Sequence, residues 1–331
     1  MKVVVTGGAG FIGSHLTEKL ISIKKIKKVI VIDHFEDGSK KNLIKVKDSK
    51  KLKIIKENIT KLDKIEKFFK GIDYVFHLAA IADIVPSVVK PKEYLDTNFI
   101  GTINILEASR KYKVKKIIYA ASSSCYGLAN NNDISENAKI STLYPYSFSK
   151  NIAEQAVVHW SEVYGLKYIS LRLFNVYGLR SRTTGAYGAV MGVFLKQKLS
   201  KKPFTVVGDG KQKRDFINVY DVVEAFIKGA FSKSINQIYN VGTGKPNSVN
   251  KLVKILKGKK IYIPERPGEP KFLKAKIKKI KKQLKWSPKI KFEDGVNELI
   301  QNIKYWKSAP LWNKKNIKQA TKIWFKNLKK K

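Results

Sequence analysis

Short apolar runs alternate with longer amphipathic stretches through the first half of the chain. "KVVVT" (2–6), "KVIVID" (28–33), "KLKIIKENI" (51–59), "DYVFHLA" (73–79), "KKIIYAAS" (115–122) and "LKYISLRLF" (166–174) read as strands. Helical patterns lie between them, near 11–23, 61–70, 97–113 and 146–164. A further helix near 219–232 precedes a last strand, "QIYNVG" (237–242). The apolar runs are continuous rather than alternating, which suits a parallel sheet covered on both faces. Repeated strand, helix, strand predicts a doubly wound α/β fold of about seven strands.

Regularity weakens after about residue 175. "GLRSRTTGAYGAV", "VVGDGKQKRDF" and "PERPGEPKF" are rich in glycine, proline and charge. The expected division is a large domain over 1–175, with 215–244 returning to it, and a smaller α/β lobe from 176–214 and 245–331. Three of the five tryptophans, Trp306, Trp312 and Trp324, fall in the tail, where "NIKQATKIWFKNL" predicts one amphipathic helix packed on the small lobe.

Composition changes this picture little. The 331 residues allow a sizeable core, and no apolar run approaches the ~18 residues of a membrane span. The N-terminus lacks signal-peptide anatomy, so a cytoplasmic protein is expected. One cysteine, Cys125, gives no disulfide framework and no cysteine-rich metal site, and no metal is expected. The net charge of +41 invites a nucleic-acid reading. Yet 61 of the 67 basic residues are lysine, scattered along a chain also rich in isoleucine and asparagine. These share AT-rich codons, so base composition accounts for the charge, and no specific nucleic-acid partner is expected. The six arginines are Arg110, Arg172, Arg180, Arg182, Arg214 and Arg266. Where lysine serves almost everywhere, a retained arginine points to a need for its planar fork.

"VVVTGGAGFIGSHL" sets Gly7, Gly10 and Gly13 as G-x-x-G-x-x-G, with Phe11 and Ile12 inside it, after a strand and opening a helix. Such glycines permit a tight turn and close backbone approach to a pyrophosphate facing the helix N-terminus. Asp33 ends the second strand, twenty residues beyond Gly13. A carboxylate there accepts from the adenosine ribose and repels a 2′-phosphate, favouring NAD over NADP. The large domain then reads as a Rossmann-type NAD-binding domain and the small lobe as the substrate side.

Tyr146 and Lys150, in "YSFSK", lie four apart and share a helix face. An ammonium near a phenol lowers its pKa; moving it from about 10 to about 7 needs roughly 4 kcal/mol. The phenolate then serves as a general base near neutral pH. Glycine spacing and Tyr-x-x-x-Lys together resemble the short-chain dehydrogenase/reductase superfamily. The extended branch, with its nucleotide-sugar epimerases and dehydratases, places a catalytic Ser or Thr four residues before the Tyr of a "YG" pair. In "AASSSCYG" that is Ser122. Ser123 and Ser124 follow it, read either as substrate contacts or as loop lining. Dehydratases and decarboxylases of this branch carry acidic groups there, so two serines favour simple oxidation and re-reduction at one carbon.

The resemblance to extended-type UDP-sugar 4-epimerases covers nearly the whole chain and implies further residues. "FHLAA" brings Leu78, Ala79 and Ala80 to the cofactor, while His77 is structural. Asn98, Asn58 and Ile59 are implied in the cofactor pocket, although Asn58 stands where the family has Asp, and His34 where it has Asn. Asn175 of "RLFNVYG" is similar to a substrate-contacting asparagine, with Arg172 structural. Arg214 and Arg266 resemble arginines that clamp the diphosphate. Glu269 falls where an acid holds the nucleotide ribose, and Leu273 where bulk gates N-acetylated sugars. The helices near 97–113 and 146–164 resemble those pairing in homodimeric relatives. The implied activity is 4-epimerisation of a nucleotide sugar, a UDP-hexose. The alternatives are a decarboxylase, 4,6-dehydratase or reductase of the same branch, and more distantly an RNA-binding protein on this fold, a kind of relative that tends to lose the catalytic set kept here.

Overall fold

A computed structural model describes residues 1–128, 133–181 and 190–328. Arg182, and the part of the expected loop over 182–189, lie outside the described residues. Seven parallel strands form the central sheet: β1 (Lys2–Thr6), β2 (Lys28–Asp33), β3 (Leu52–Lys56), β4 (Tyr74–His77), β5 (Lys116–Ser122), β6 (Tyr168–Leu173) and a seventh, Gln237–Val241. Their spatial order is seventh, β6, β5, β4, β1, β2, β3. The order reverses between β1 and β4, which pair from Val3↔Tyr74 to Thr6↔His77. In an open α/β sheet a ligand crevice forms outside the strand ends at such a point.

The continuous apolar runs have a physical reason. Val3 and Val5 of β1, with Val29 and Val31 of β2, enter the core on one face beside Leu16, Leu20 and Phe226. Val4, Ile30 and Ile32 enter the core on the other face beside Ile105, Leu106 and Val157. With helices on both faces, alternation in hydrophobicity is lost. A third core, around Phe194, Phe204, Leu252, Val296, Leu299 and Trp306, lies in the later part of the chain.

Several elements depart from expectation. The helix expected over 97–113 begins as a π-helical turn, Asp96–Ile100, and continues as an α-helix over Gly101–Lys111. The 61–70 helix is two short turns, Leu62–Ile65 and Glu66–Phe69. The stretch from 275 to 286, expected in the small lobe, joins the large core through Ala275, Ile277, Ile280, Leu284 and Trp286. The single tail helix is instead two, Lys314–Ala320 and Lys322–Leu328. Trp306 and Ile317 pack in the third core as expected. Trp324 does not: it packs with Val85, Val88 and Tyr144 on the sheet side of the cleft.

No described helix is long and apolar enough to cross a membrane. No group of three or more His, Cys, Asp or Glu among the described residues is placed to hold a metal.

Candidate active site

The turn after β1 is shaped by the absence of side chains. Gly7 has φ +67°, a left-handed conformation, and Gly10 N–H donates to its carbonyl at 3.0 Å. A β-carbon on Gly13 would lie 2.1 Å from that same carbonyl, so the third glycine is required by the close approach of helix α1 (Phe11–Ser22) to the turn. Asp33, 5% exposed, is fixed through both oxygens: Oδ2 accepts from Ala9 N–H and Oδ1 from Phe35 N–H, each at 2.9 Å. The neighbouring His34 imidazole is pushed up by its hydrogen bond to Asp33. This cradle, with a helix N-terminus aimed at it and an anchored carboxylate at its rim, fits an adenine dinucleotide.

From the cradle a cavity of about 630 Å³ runs past the ends of β4 and β5 to the third core. Gly7, Gly10, Phe11, Ile12, Gly13, Asp33, Asn58, Ile59, Leu78, Ala79 and Ala80 line one end. Asn58 Oδ1 already accepts from Thr60 N–H at 2.9 Å, which leaves one lone pair for a ligand. Asn98, expected at the cofactor, is fully buried beside the 81 loop that lines the cavity. Its Oδ1 accepts from Ile81 N–H at 2.8 Å, and its Nδ2 donates to Ile81 O and Ser149 Oγ, each at 3.0 Å. It fastens the 81 loop to the Pro145–Tyr164 helix because the π turn carries its side chain inward, fully buried.

Ser122, Tyr146 and Lys150 meet at the middle of the cavity. Ser122 ends β5, where strand gives way to a tight turn. Tyr146 is in the first turn of its helix, after Pro145 at N1. Burial pushes the Tyr146 phenol up, while a hydrogen bond with Ser122 pulls it down. The Ser122 hydroxyl is itself 2.8 Å from that of Ser124. Lys150 shares the helix face, as expected, but its ammonium lies 4.3 Å from the centre of the Tyr119 ring. Burial, opposed by Glu154, lowers the Lys150 pKa to about 7. Ser122 thus pulls on the phenol in the protein alone, and burial makes the Lys150 ammonium expected from spacing easier to deprotonate.

At the far end Ser123, Ser124, Asn175, Arg214, Arg266, Glu269 and Leu273 line the wall. Glu269 pairs with Arg266 at 2.7 Å and lies 3.7 Å from Arg214. Burial lowers the Arg214 pKa, Glu269 opposes this and Arg266 adds to it. Two guanidinium groups therefore line one cavity, with the Glu269 carboxylate between them. Asp215 fixes the base of this arrangement. Its carboxylate accepts from Thr243 N–H at 2.6 Å, Gly244 N–H at 2.9 Å and Ala275 N–H at 3.0 Å. It was not singled out from the sequence; a carboxylate heading the apolar run "DFINV" was the available signal. Tyr144 and Trp324 also line the cavity unannounced by any motif.

Two expected structural residues behave as such. His77 lies between Thr6 Oγ1 at 2.7 Å and Thr102 Oγ1 at 2.9 Å, and burial lowers its pKa to about 3. Arg172 makes a forked contact with Glu154, with Nη2 at 2.7 Å and Nε at 2.9 Å from Oε2.

Comparison with known proteins gives consistent neighbours. A putative UDP-glucose 4-epimerase of Methanocaldococcus jannaschii is 38% identical over 310 residues, covering 91% of this chain and 98% of that protein. A UDP-glucuronate 4-epimerase of Thermodesulfobacterium geofontis is 33% identical, covering 97% and 98%. The solved UDP-N-acetylglucosamine 4-epimerase of Methanobrevibacter ruminantium superposes with a TM-score of 0.86 at 35% identity, covering 93% and 98%. The NAD dependent epimerase/dehydratase family profile matches residues 3–242, and with the glycine cradle, the seven-stranded sheet and these relatives it makes this chain a member of that family of NAD-dependent enzymes.

Proposed function

We propose that the protein interconverts nucleotide sugars that differ in configuration at C4, with a UDP-hexose as substrate. The observation that carries this reading is the meeting of Ser122, Tyr146 and Lys150 midway between the glycine cradle and the Arg214–Arg266 pair, with serines at 123 and 124. NAD bound in the cradle supplies reversible oxidation at one sugar carbon.

The chain's own residues do the rest. Tyr146, as phenolate, takes the proton from the C4 hydroxyl and returns it after the 4-keto sugar has turned over. Ser122 donates to the oxygen where charge develops, a preorganised contact of the kind that contributes most to such reactions. Lys150, once charged, stabilises the phenolate and holds the cofactor's ribose. Arg214 and Arg266 hold the diphosphate while the sugar rotates, and Glu269, released from them, meets the nucleotide ribose. Serines in place of acids at 123 and 124 give this site neither group with which the family's dehydratases and decarboxylases proceed, which favours epimerisation. The relatives act on different sugars, and a leucine at 273 is intermediate in bulk, so the hexose itself is to be read by experiment.

The test is a proton NMR time course with NAD and, separately, UDP-glucose, UDP-N-acetylglucosamine and UDP-glucuronate, with Tyr146→Phe as control. A reversible mixture of 4-epimers is expected with one or more sugars. The control should lose about 10²–10⁴-fold, the usual contribution of a positioned acid–base group. Formation of a pentose, a 4-keto-6-deoxy sugar or net NADH would assign the chain to another branch of the family. The exposed Ile100, Phe148, Val163 and Tyr164, on the two helices expected to pair, support a homodimer, which sedimentation would read.

A further inference from the structure

The C-terminal tail crosses from one side of the cleft to the other. Trp306, Ala309 and Ile317 keep it in the third core, and Gln197 Nε2 donates to the Trp312 carbonyl at 2.8 Å. After Ile317, still in that core, the chain breaks at Thr321 and the Lys322–Leu328 helix begins. Here Trp324, 2% exposed, makes three contacts with three separate parts of the cavity wall. Its Nε1–H donates to the Pro267 carbonyl at 3.0 Å, inside the loop that carries Arg266 and Glu269. Its ring lies 5.4 Å from that of Tyr144. It also packs on Val85 and Val88 of the Ile84–Val89 helix.

Two features separate this arrangement from ordinary core packing. Among the described residues the cluster has Val85, Trp324 and Leu328 as its buried members and is distinct from the three main cores. All three of its partners belong to the reaction's surroundings. Tyr144 N–H donates to Ser147 Oγ at 3.2 Å at the start of the helix that presents Tyr146. Ile84 and Val85 line the cavity, as do Gly268 and Trp324 itself. Gly268 has φ +74°, and a β-carbon there would lie 3.8 Å from Leu328 Cδ1, so the tail helix packs against this turn beside the Arg266–Glu269 pair.

We infer that Trp324 is a positioning residue for the nucleotide sugar: the tail helix straps the Arg266–Glu269 loop to Tyr144 and the Ile84–Val89 helix, so that the anion-binding pair is held closed before substrate arrives. This rests on the reading of Arg266 and Glu269 as substrate-binding groups. A loop ordered in advance costs less to order on binding, so the effect falls on substrate affinity rather than on the chemical step.

The experiment compares the wild-type protein with Trp324→Ala and Trp324→Phe, all carrying NAD. The readouts are KM and kcat for the sugar found active, UDP affinity by calorimetry, NAD content, and amide hydrogen exchange over 265–270. Trp324→Ala is expected to raise KM and weaken UDP about tenfold or more, with kcat within about twofold, NAD content unchanged and exchange in the loop faster. Trp324→Phe keeps the ring contact without the donor and should fall between. A lower melting temperature with unchanged KM, UDP affinity and loop exchange would overturn the inference, leaving Trp324 a purely structural side chain. Unchanged loop exchange alone would also overturn it. Faster exchange and weaker UDP binding in Trp324→Ala, in a protein inactive on every UDP-sugar, would support the strap and overturn the assigned reaction instead.

Discussion

The glycine end of the cleft is made of backbone and empty space, whereas the end proposed to take the substrate is made of charged side chains. Gly7 and Gly13 matter because a β-carbon would collide with peptide groups, and even Asp33 is held by two peptide N–H groups. Arg214, Arg266 and Glu269 matter because of what their heads carry, and Glu269, at 2.7 Å from Arg266 and 3.7 Å from Arg214, offsets one of the two positive charges. The first kind of site tolerates no added atom. The second depends on charge and on the planar fork that carries it, with Asp215 fixed below it and, on the inference above, Trp324 bracing it across the cleft. A glycine cradle and the proposed substrate clamp thus obey different rules within one cavity.

The largest effect separates space from mere conformation. Gly13→Val drives a side chain into the Gly7 carbonyl, and purified protein should carry no NAD by absorbance and chromatography. Gly71 also has positive φ, +72°, yet a β-carbon there meets nothing within 4 Å. Gly71→Ala should cost only about 1–2 kcal/mol of stability, the strain of a left-handed alanine, and leave NAD content unchanged. NAD retained by Gly13→Val would break the contrast at its foundation.

A smaller effect tests the other end. Arg214→Lys and Arg266→Lys keep charge but lose the fork, and each should weaken UDP binding in calorimetry by about tenfold or more, since hydrogen bonds to charged groups contribute about 1.5–3 kcal/mol. NAD content should not move. Equal UDP affinity in both variants would mean that charge alone suffices and that the retained arginines need another explanation.

This division also explains what was legible in the sequence. The cradle, the Ser122 position and Tyr146–Lys150 are local patterns, each within a few residues, and β1 or β2 can be read because burial on both faces writes itself as a run of Val and Ile. Arg214 and Arg266 were legible through resemblance and through the scarcity of arginine. Asp215 was not, since its partners Thr243, Gly244 and Ala275 lie 28 to 60 residues away. Trp324 reaches Pro267 across 57 residues, and amphipathicity alone gives a helix a buried face without saying which surface covers it. The partners of Asn98 in the protein alone, Ile81 and Ser149, were also not legible, since the π turn that carries it is invisible to periodicity. Lysine scatter likewise hid Lys116, whose ammonium is buried against the carbonyls of Ser232 and Ser234 at 2.9 and 3.0 Å.

Lys150 belongs to both ends and supplies the finest test, a charge set among groups that otherwise act by shape. In the protein without cofactor its pKa falls from about 10.5 to about 7 through burial. Between these values the unfolded chain binds the proton and the folded one does not, so stability rises with pH across that window. Below pH 7 the folded protein must bury the ammonium and carries the full penalty; above about 10.5 neither state is charged and the penalty is gone. Lys150→Met removes the group. With NAD stripped from both proteins, the variant should melt above the wild type at pH 6 to 7, and the gap should narrow steadily toward pH 10. A gap that is constant with pH would mean that Lys150 keeps its proton in the folded protein. The expected ammonium would then be present before the cofactor arrives, and the distinction between an end built on space and an end built on charge would fail at the residue where the two meet.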